Sequence, residues 1–166
     1  MRVIDDFWRQ YSQLLFLCNY YTYKRESLFL VNTYIGIASL VVSGACVVAW
    51  GMSAKYSIVW AAVIFVVQLA NGLKDLLGTT KKVCMLDLYL PLATDIASES
   101  RDTWRLISQG KLTEDEILKK IRKLDEMNNA LKKTYILPTG LTVSKKLTHK
   151  ANERTDAELL ALHGKD

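Results

Sequence analysis

Two long uncharged stretches dominate the pattern of hydrophobic and polar positions along this chain. No charged residue occurs from Ser27 to Ala54 or from Tyr56 to Leu73, and Lys55 is the only charge between them. A helix that crosses a bilayer needs about 20 mostly apolar residues. The pattern therefore predicts two membrane-spanning helices, at about 28–52 and 56–73. The turn between them is so short that they must form an antiparallel hairpin within residues 28–77.

An amphipathic helix is predicted before the first span, over residues 1–27. Its apolar residues share one face at helical spacing, and its acidic and basic residues lie opposite. The apolar face contains Val3, Ile4, Phe7, Trp8, Tyr11, Leu14, Leu15 and Cys18. Two interpretations are open: the helix lies in the membrane interface, or it packs on a cytosolic helix bundle. Its acidic residues favour packing, because membrane-surface helices prefer Lys and Arg on the polar face.

Residues 78–137 are predicted to form a cytosolic antiparallel pair of helices. The first helix ends at Gly110, and Thr113 with Glu116 has the spacing of a capping box that opens the second. Both helices carry apolar side chains at alternating steps of four and three, which is typical of a packed seam and predicts an oligomer or switch interface. The seam residues are Leu86, Leu90, Trp104, Ile117, Ile121, Leu124, Asn128 and Leu131.

Asn128 interrupts the apolar character of this seam, and two interpretations are open. It either sets the register or the oligomeric state of the helices or faces solvent at a frayed position. Residues 138–166 are interpreted as a polar C-terminal tail, in which 156–162 can form a last short helix. No β pattern occurs in the sequence. The predicted fold class is therefore an all-α membrane protein.

Small and polar residues follow one face of each predicted span. In the first span they are Asn32, Gly36, Ser39 and Ser43, and in the second they are Gln68, Asn71 and Asp75. Polar side chains are costly in lipid and face protein or water. One interpretation is helix packing, since small residues let backbones approach and polar side chains bond across helices. The other is that a ring of hairpins in a homo-oligomer encloses a conduit lined by these residues.

The basic residues predict the orientation in the membrane. Arg9, Lys24 and Arg25 precede the first span and Lys74, Lys81 and Lys82 follow the second, whereas the turn holds only Lys55. Because cytoplasmic flanks carry the excess of Lys and Arg, both termini are expected in the cytoplasm. The net charge of +5 is small. A basic region next to a span favours contact with anionic lipid, so direct nucleic-acid binding is not expected.

No catalytic or metal-binding motif accompanies these features. Asp95, Glu99 and Asp102 share a helix face, but Arg101 and Arg105 lie close by, as on an ordinary solvated helix surface. The three cysteines have no ligand or redox spacing, so they are expected to be free thiols. The sequence therefore predicts no enzyme, no cofactor and no metal site.

The layout resembles a known family. An aromatic-rich N-terminal helix ends in Tyr20-Tyr21-Thr22-Tyr23-Lys24-Arg25, a two-span hairpin with a minimal turn follows, and Leu112-Thr113-Glu114-Asp115-Glu116 opens the second cytosolic helix. In this architecture nearly the whole chain is similar to the SLATT family of bacterial two-transmembrane effector domains. These domains are associated with nucleotide-signalling and reverse-transcriptase defence loci.

The resemblance implies an antiviral effector of the bacterial inner membrane that forms a pore or disrupts the membrane and causes cell death or growth arrest, as in abortive infection. It also implies a cytosolic sensor protein as partner, either a nucleotide second-messenger synthase or a reverse transcriptase. A homo-oligomer is expected, because one hairpin cannot enclose water. The alternative is a small non-lethal membrane anchor that recruits a soluble partner through its cytosolic helices.

Overall fold

The computed structural model describes residues 2–49, 57–76 and 78–163, with side chains except at 43–49, 57, 74–76 and 163. None of these residues lies in a β-strand, which confirms the all-α prediction. The described helices are α1 (Arg2–Ala49), α2 (Ser57–Leu76), α3 (Thr79–Ser108), α4 (Glu114–Leu131) and α5 (Lys145–His163). A π-helical turn (Lys132–Ile136) and a 3-10 turn (Leu137–Thr139) follow α4. The predicted turn between the spans lies outside the described residues.

The chain divides into two compact units. The bundle unit comprises Met1–Arg25 and Cys84–Asp166, and the apolar unit comprises Glu26–Val83. Helix α1 belongs to both, because its 48 residues form one uninterrupted helix. No Pro or Gly precedes Gly36, so nothing in the sequence of α1 breaks it where it passes from one unit to the other.

The core of the bundle unit is formed by the inward faces of α1, α3 and α4. One cluster of buried side chains contains Leu14, Cys18, Tyr89, Ala93, Ile96, Ala97 and Leu124. A second contains Phe7, Tyr11, Ile107 and Ile117. Most of the apolar face of the N-terminal helix is therefore covered by protein, as the packing interpretation predicts, whereas Ile4 is exposed.

The α3–α4 connection is set by local backbone chemistry. Gly110 has a φ of 65°, which a residue with a side chain rarely adopts. Its N–H donates to the Ile107 carbonyl, and the Lys111 N–H donates to the Leu106 carbonyl, which together form a Schellman end. Thr113 and Glu116 then form the predicted capping box at the start of α4. The reversal lets α4 run back along α3.

The C-terminal segment is more ordered than the sequence interpretation of a polar tail. Helix α5 begins at Lys145, eleven residues before the short helix considered there, and buries Ala151 and Thr155 in the bundle unit. Leu159 and Leu162 pack against the second core cluster. Residues 145–163 are therefore part of the bundle.

The apolar unit contains the segments that were predicted to cross a membrane. Among the described residues, Arg2–Val42 is the one helix that is long and apolar enough to span a bilayer, judged by length and composition alone. Its most apolar window contains no buried residue, and Ile58–Leu73 is a shorter apolar helix.

Candidate functional site

The small and polar stripe of α1 lies on the half-buried side of that helix. Asn32, Gly36 and Ser39 are each half-buried. The large side chains between them point outward, and Leu40 and Tyr34 are 75% and 69% exposed. The Ser43 side chain lies outside the described residues. Three of the four predicted stripe residues in this span therefore share one covered face.

The stripe of α2 meets this face at one point. The side-chain amide of Asn71 donates a hydrogen bond to the Ser39 hydroxyl. Gln68, one turn earlier, is exposed, and the Asp75 side chain lies outside the described residues. The structure thus brings Ser39 and Asn71 together and leaves Gln68 on the surface.

The outer surface of the apolar unit is made of large hydrophobic side chains. On α2 the side chains of Ile58, Phe65 and Val66 are 83%, 67% and 62% exposed. Asn71 and Ser39 meet between the helices and large apolar groups face outward, which reverses the arrangement of a water-soluble protein. Contiguous exposed apolar surface of this kind marks a site of contact with a membrane or another protein.

Asn32 leaves a polar group without a partner inside the apolar unit. Among the described residues, its side-chain oxygen is buried and accepts no hydrogen bond. Buried polar atoms are usually satisfied, so an unpaired one points to a partner from outside the described residues. Asn32 therefore has one polar atom whose hydrogen bonding is incomplete within the apolar unit.

The predicted helical seam is used inside the bundle unit. Leu86, Ile117 and Leu124 are buried, and the other apolar members of the seam pack against the two core clusters. Those partly buried members are Leu90, Trp104, Ile121 and Leu131. These side chains contact other helices of the same chain, and their role in an oligomer or switch stays a prediction.

Asn128 does not lie at a frayed, solvated position. The side chain is half-buried, and among the described residues its side-chain oxygen is shielded from solvent and lacks a hydrogen-bond partner. The solvent interpretation is therefore wrong for this oxygen, and the position is not frayed, because α4 continues beyond Asn128 into a π-helical turn. An unsatisfied amide in a core weakens the packing around it.

A polar contact fastens the segment before α5 to α1. The Ser144 N–H donates to the Tyr20 hydroxyl at 3.1 Å, and that hydroxyl lies 3.5 Å from the Thr142 carbonyl. The Lys24 ammonium donates to the same carbonyl at 3.1 Å. Further along, the Asn19 amide donates to the Thr155 hydroxyl at 3.1 Å.

Sequence reasoning missed this arrangement, although the sequence carries a signal for it. Leu147, Ala151, Thr155, Glu158 and Leu162 follow the helical spacing of an inward face. The pattern of residues 138–166 indicates a polar tail, because that face contains few large apolar residues and the flanking positions are charged.

The interior of the bundle unit also holds titratable groups that burial keeps neutral. Burial, with a smaller contribution from Glu158, raises the pKa of the Cys18 thiol to about 12. Burial likewise raises the pKa of the Tyr89 hydroxyl well above its usual value. Thiolate is the reactive form of cysteine, so Cys18 is a structural and unreactive side chain.

Glu99 and Asp102 on α3 form surface ion pairs. The Glu99 carboxylate lies 2.9 Å from the Lys123 ammonium, and that hydrogen bond is the main cause of its lowered pKa. Asp102 pairs with Arg105 at 3.3 Å. In the part of the chain that the structure describes, no group of His, Cys, Asp or Glu side chains is arranged to hold a metal ion.

An apolar groove of about 340 Å³ opens on the bundle unit between α3 and α4. Leu92, Ile96, Met127 and Leu131 line its apolar part, and Asp95 and Glu99 lie at its edge. Leu92 remains 42% exposed there.

Compared with known proteins, the chain matches no protein-family model, no curated protein and no solved structure. Its function is therefore inferred from its own residues and from the architectural resemblance described above.

Proposed function

We propose that this protein is a membrane effector of a bacterial anti-phage defence system. It assembles into homo-oligomers that form a pore in the inner membrane or disrupt it, and the infected cell dies or stops growing. In this proposal the apolar stretches of α1 and α2 cross the bilayer as an antiparallel hairpin, and both termini lie in the cytoplasm. No catalytic chemistry is involved.

The observation that carries the proposal is the reversed polarity of the apolar unit. Its one described contact between helix stripes is the hydrogen bond between Asn71 and Ser39, and its outward side chains are large and apolar. Exposed apolar surface on two helices is stable in hydrocarbon and unstable in water. The Lys and Arg residues outside the two stretches support the orientation.

Oligomerisation is supported by the exposed position of Gln68. Its carboxamide is exposed about one turn from Phe65, which faces outward. An amide that faces lipid loses its hydrogen bonds, whereas an amide that faces a second copy or a water-filled conduit keeps them. A homo-oligomer with Gln68 at the subunit contacts or in the conduit satisfies this group.

The defence role rests on the resemblance to SLATT effector domains. In this proposal the bundle unit is the part of the chain through which the activity of the apolar unit is controlled. A cytosolic sensor, either a nucleotide second-messenger synthase or a reverse transcriptase, acts on this unit. Residues of the bundle unit, through Arg25 on α1 and from Cys84 on α3, are continuous in sequence with the apolar unit. A rearrangement of the bundle is thereby transmitted along the two helices.

Membrane potential measured in a bacterial host tests the proposal. Induced expression of the full chain is expected to depolarise the cells within minutes, and the purified chain is expected to release a small dye from liposomes. A matched control replaces Leu40, which is 75% exposed, with Arg. A charge at this lipid-facing position costs about 3 kcal/mol on insertion, so the variant should neither insert nor depolarise.

Labelling with an impermeant thiol reagent tests the orientation separately. Cysteines introduced at Ser53, between the two stretches, and at Ser144, before α5, are compared in spheroplasts in a background without the native cysteines. Only the cysteine at position 53 should react in intact spheroplasts. Reaction at position 144 instead would reverse the orientation.

The second candidate function is a non-lethal membrane anchor, and the groove between α3 and α4 favours it. An apolar groove with an acidic edge suits a helix of a soluble partner. An anchor inserts into the membrane but leaves the membrane potential and the liposome contents unchanged. Insertion without depolarisation or dye release would therefore contradict the effector function and support the anchor function.

A further inference from the structure

The excess positive charge of the chain is concentrated in one segment. No Asp or Glu occurs between Glu126 and Glu153, whereas five lysines do, at 132, 133, 145, 146 and 150. Their number equals the net charge of +5, so acidic and basic residues balance in the rest of the chain. Residues 127–152, here termed the basic segment, therefore account for the net positive charge of the chain.

Exposed apolar side chains accompany these lysines. Val143 is 82% exposed and Leu137 is 70% exposed, and Lys133, Lys145 and Lys146 are exposed as well. Protein surfaces that lie against anionic lipid typically combine large apolar side chains with lysines. The apolar groups enter the headgroup region, and the cations attract the negative surface.

The contacts of the basic segment fix it beside the end of α1 that leads into the apolar unit. The Lys24 ammonium donates a hydrogen bond to the Thr142 carbonyl, and the Tyr20 hydroxyl accepts one from the Ser144 N–H. Lys24 precedes Leu28, where the predicted span begins, by four residues of one continuous helix. At 1.5 Å per residue this separation is about 6 Å along the axis, so the Lys24 side chain lies at the membrane surface when α1 is inserted.

The start of α5 adds an unfavourable charge arrangement that an anionic surface would relieve. Lys145 and Lys146 occupy its first turn, which contains no acidic residue. The N-terminal end of a helix carries partial positive charge, so lysines there are repelled. Negative groups outside the protein offset this repulsion.

We propose that residues 132–146 form a lipid-contact surface that binds the anionic phospholipid headgroups of the cytoplasmic leaflet. Val143 and Leu137 enter the headgroup region, and Lys133, Lys145 and Lys146 contact the phosphates. The proposal rests on the membrane location in the proposed function. It adds a second attachment of the bundle unit to the bilayer, besides the two helices that are continuous with the apolar unit.

A polarity-sensitive fluorophore at position 143 tests this surface in the full chain. Val143→Cys is made with Cys46→Ser and Cys84→Ser, labelled, and reconstituted in vesicles of phosphatidylcholine with or without phosphatidylglycerol. Phosphatidylglycerol should shift the emission to shorter wavelength, and 1 M salt should reverse the shift by screening. Replacing Lys133, Lys145 and Lys146 with Gln should abolish the shift.

Leu160 supplies the matched control. It is 71% exposed and lies on α5 fifteen residues beyond Lys145, which is about 22 Å along that helix. A fluorophore at Leu160→Cys should report water in both kinds of vesicle. A shift at position 160 equal to that at 143 would overturn the proposal, because the whole bundle would then adhere without a defined surface.

Flotation of the same vesicles separates the two proposals. If the chain floats with the vesicles and position 143 reports water in both, the lipid-contact surface is wrong and the membrane location stands. If the chain does not float, both proposals are overturned. If single-stranded RNA changes the emission and phosphatidylglycerol does not, the surface binds nucleic acid and the lipid assignment is wrong.

Discussion

The side-chain amide of Asn71 donates a hydrogen bond to the hydroxyl of Ser39, so the two polar stripes of the apolar unit meet at one defined pair. Hydrogen bonds between helices in a membrane contribute about 0.6 kcal/mol on average and about 1.7 kcal/mol at most. A slip of α2 by one turn would separate these two side chains and break their hydrogen bond. The pair therefore specifies the register of the two helices as well as stabilising them.

We expect Asn71→Leu and Ser39→Ala each to lower the free energy of unfolding of the apolar unit by about 0.5–1.5 kcal/mol. Each variant removes the same bond, so the double variant should cost no more than the larger of the two. Unfolding measured in bicelles supplies the double-mutant cycle.

Ala62 provides a control for this cycle, because it is exposed on α2. Ala62→Leu should leave the unfolding free energy unchanged. Strictly additive effects of the Ser39 and Asn71 substitutions would show that the two side chains do not stabilise each other.

Replacement of Gln68 tests the assembly. Gln68→Leu removes an exposed amide from an apolar surface, so the oligomer should dissociate or change its subunit number if this amide bonds between copies. Mass measurement in mild detergent reads the outcome directly. Val66→Leu is the matched control, since Val66 is 62% exposed and already apolar. An identical oligomer for both variants would exclude Gln68 from the subunit contacts.

The contact between Tyr20 and Ser144 should control how firmly α5 is attached. Tyr20 is buried, and Tyr20→Phe leaves the Ser144 N–H without its acceptor. We expect a loss of about 1–2 kcal/mol in the stability of the bundle unit, with faster hydrogen exchange at residues 142–148. Tyr34→Phe, at a 69% exposed position, should change neither quantity. Unchanged exchange in Tyr20→Phe would mean that apolar contacts alone hold α5.

The parts of the fold that follow from local chemistry could be predicted from the sequence. The reversal between α3 and α4 is set by Gly110 and by the capping box of Thr113 and Glu116, which act within a few residues. The seam residues also lie inward as their spacing indicates, because burying a continuous apolar face is the main gain in a helix bundle. Long uncharged stretches likewise identify the two helices of the apolar unit.

Long-range polar contacts could not be predicted in the same way. Helix α5 is held by Tyr20, Asn19 and small buried residues such as Ala151, none of which gives a strong hydrophobic pattern. The spacing of a stripe also does not say which of its members meets the other helix. Ser39 and Asn71 pair while Gln68 stays exposed, and only the rotation of α2 about its axis decides this.

The buried thiol of Cys18 should make the bundle unit less stable at high pH. Burial raises its pKa from an ordinary 9.0 to about 12, so the folded state keeps a proton that the unfolded state releases. The stabilisation is complete below about pH 9 and is lost as the pH rises toward 12. Unfolding by urea at a series of pH values should therefore show a fall that Cys18→Ala reduces. Equal pH profiles for both proteins would exclude the Cys18 contribution.

Asn128 offers the sharpest test of whether the bundle unit is a switch. Its buried side-chain oxygen lacks a partner within the described residues, so the arrangement around it is weaker than an apolar one. Asn128→Leu removes this polar group and should raise the free energy of unfolding of the bundle unit by about 1–3 kcal/mol. Asn129→Leu, at the exposed neighbouring position, should leave it unchanged.

The consequence for activity separates a switch from a docking surface. If the bundle unit changes between two arrangements, the leucine at position 128 favours one of them, and depolarisation becomes either constitutive or absent whether or not the sensor is present. If the bundle unit only docks a partner, the substitution changes partner binding and leaves the intrinsic channel activity intact. Membrane potential is measured for wild type and for Asn128→Leu, each with and without a co-expressed candidate sensor protein. A variant that is more stable yet matches wild type in both backgrounds would show that the seam is only structural, because stabilising it would then have no effect on the apolar unit.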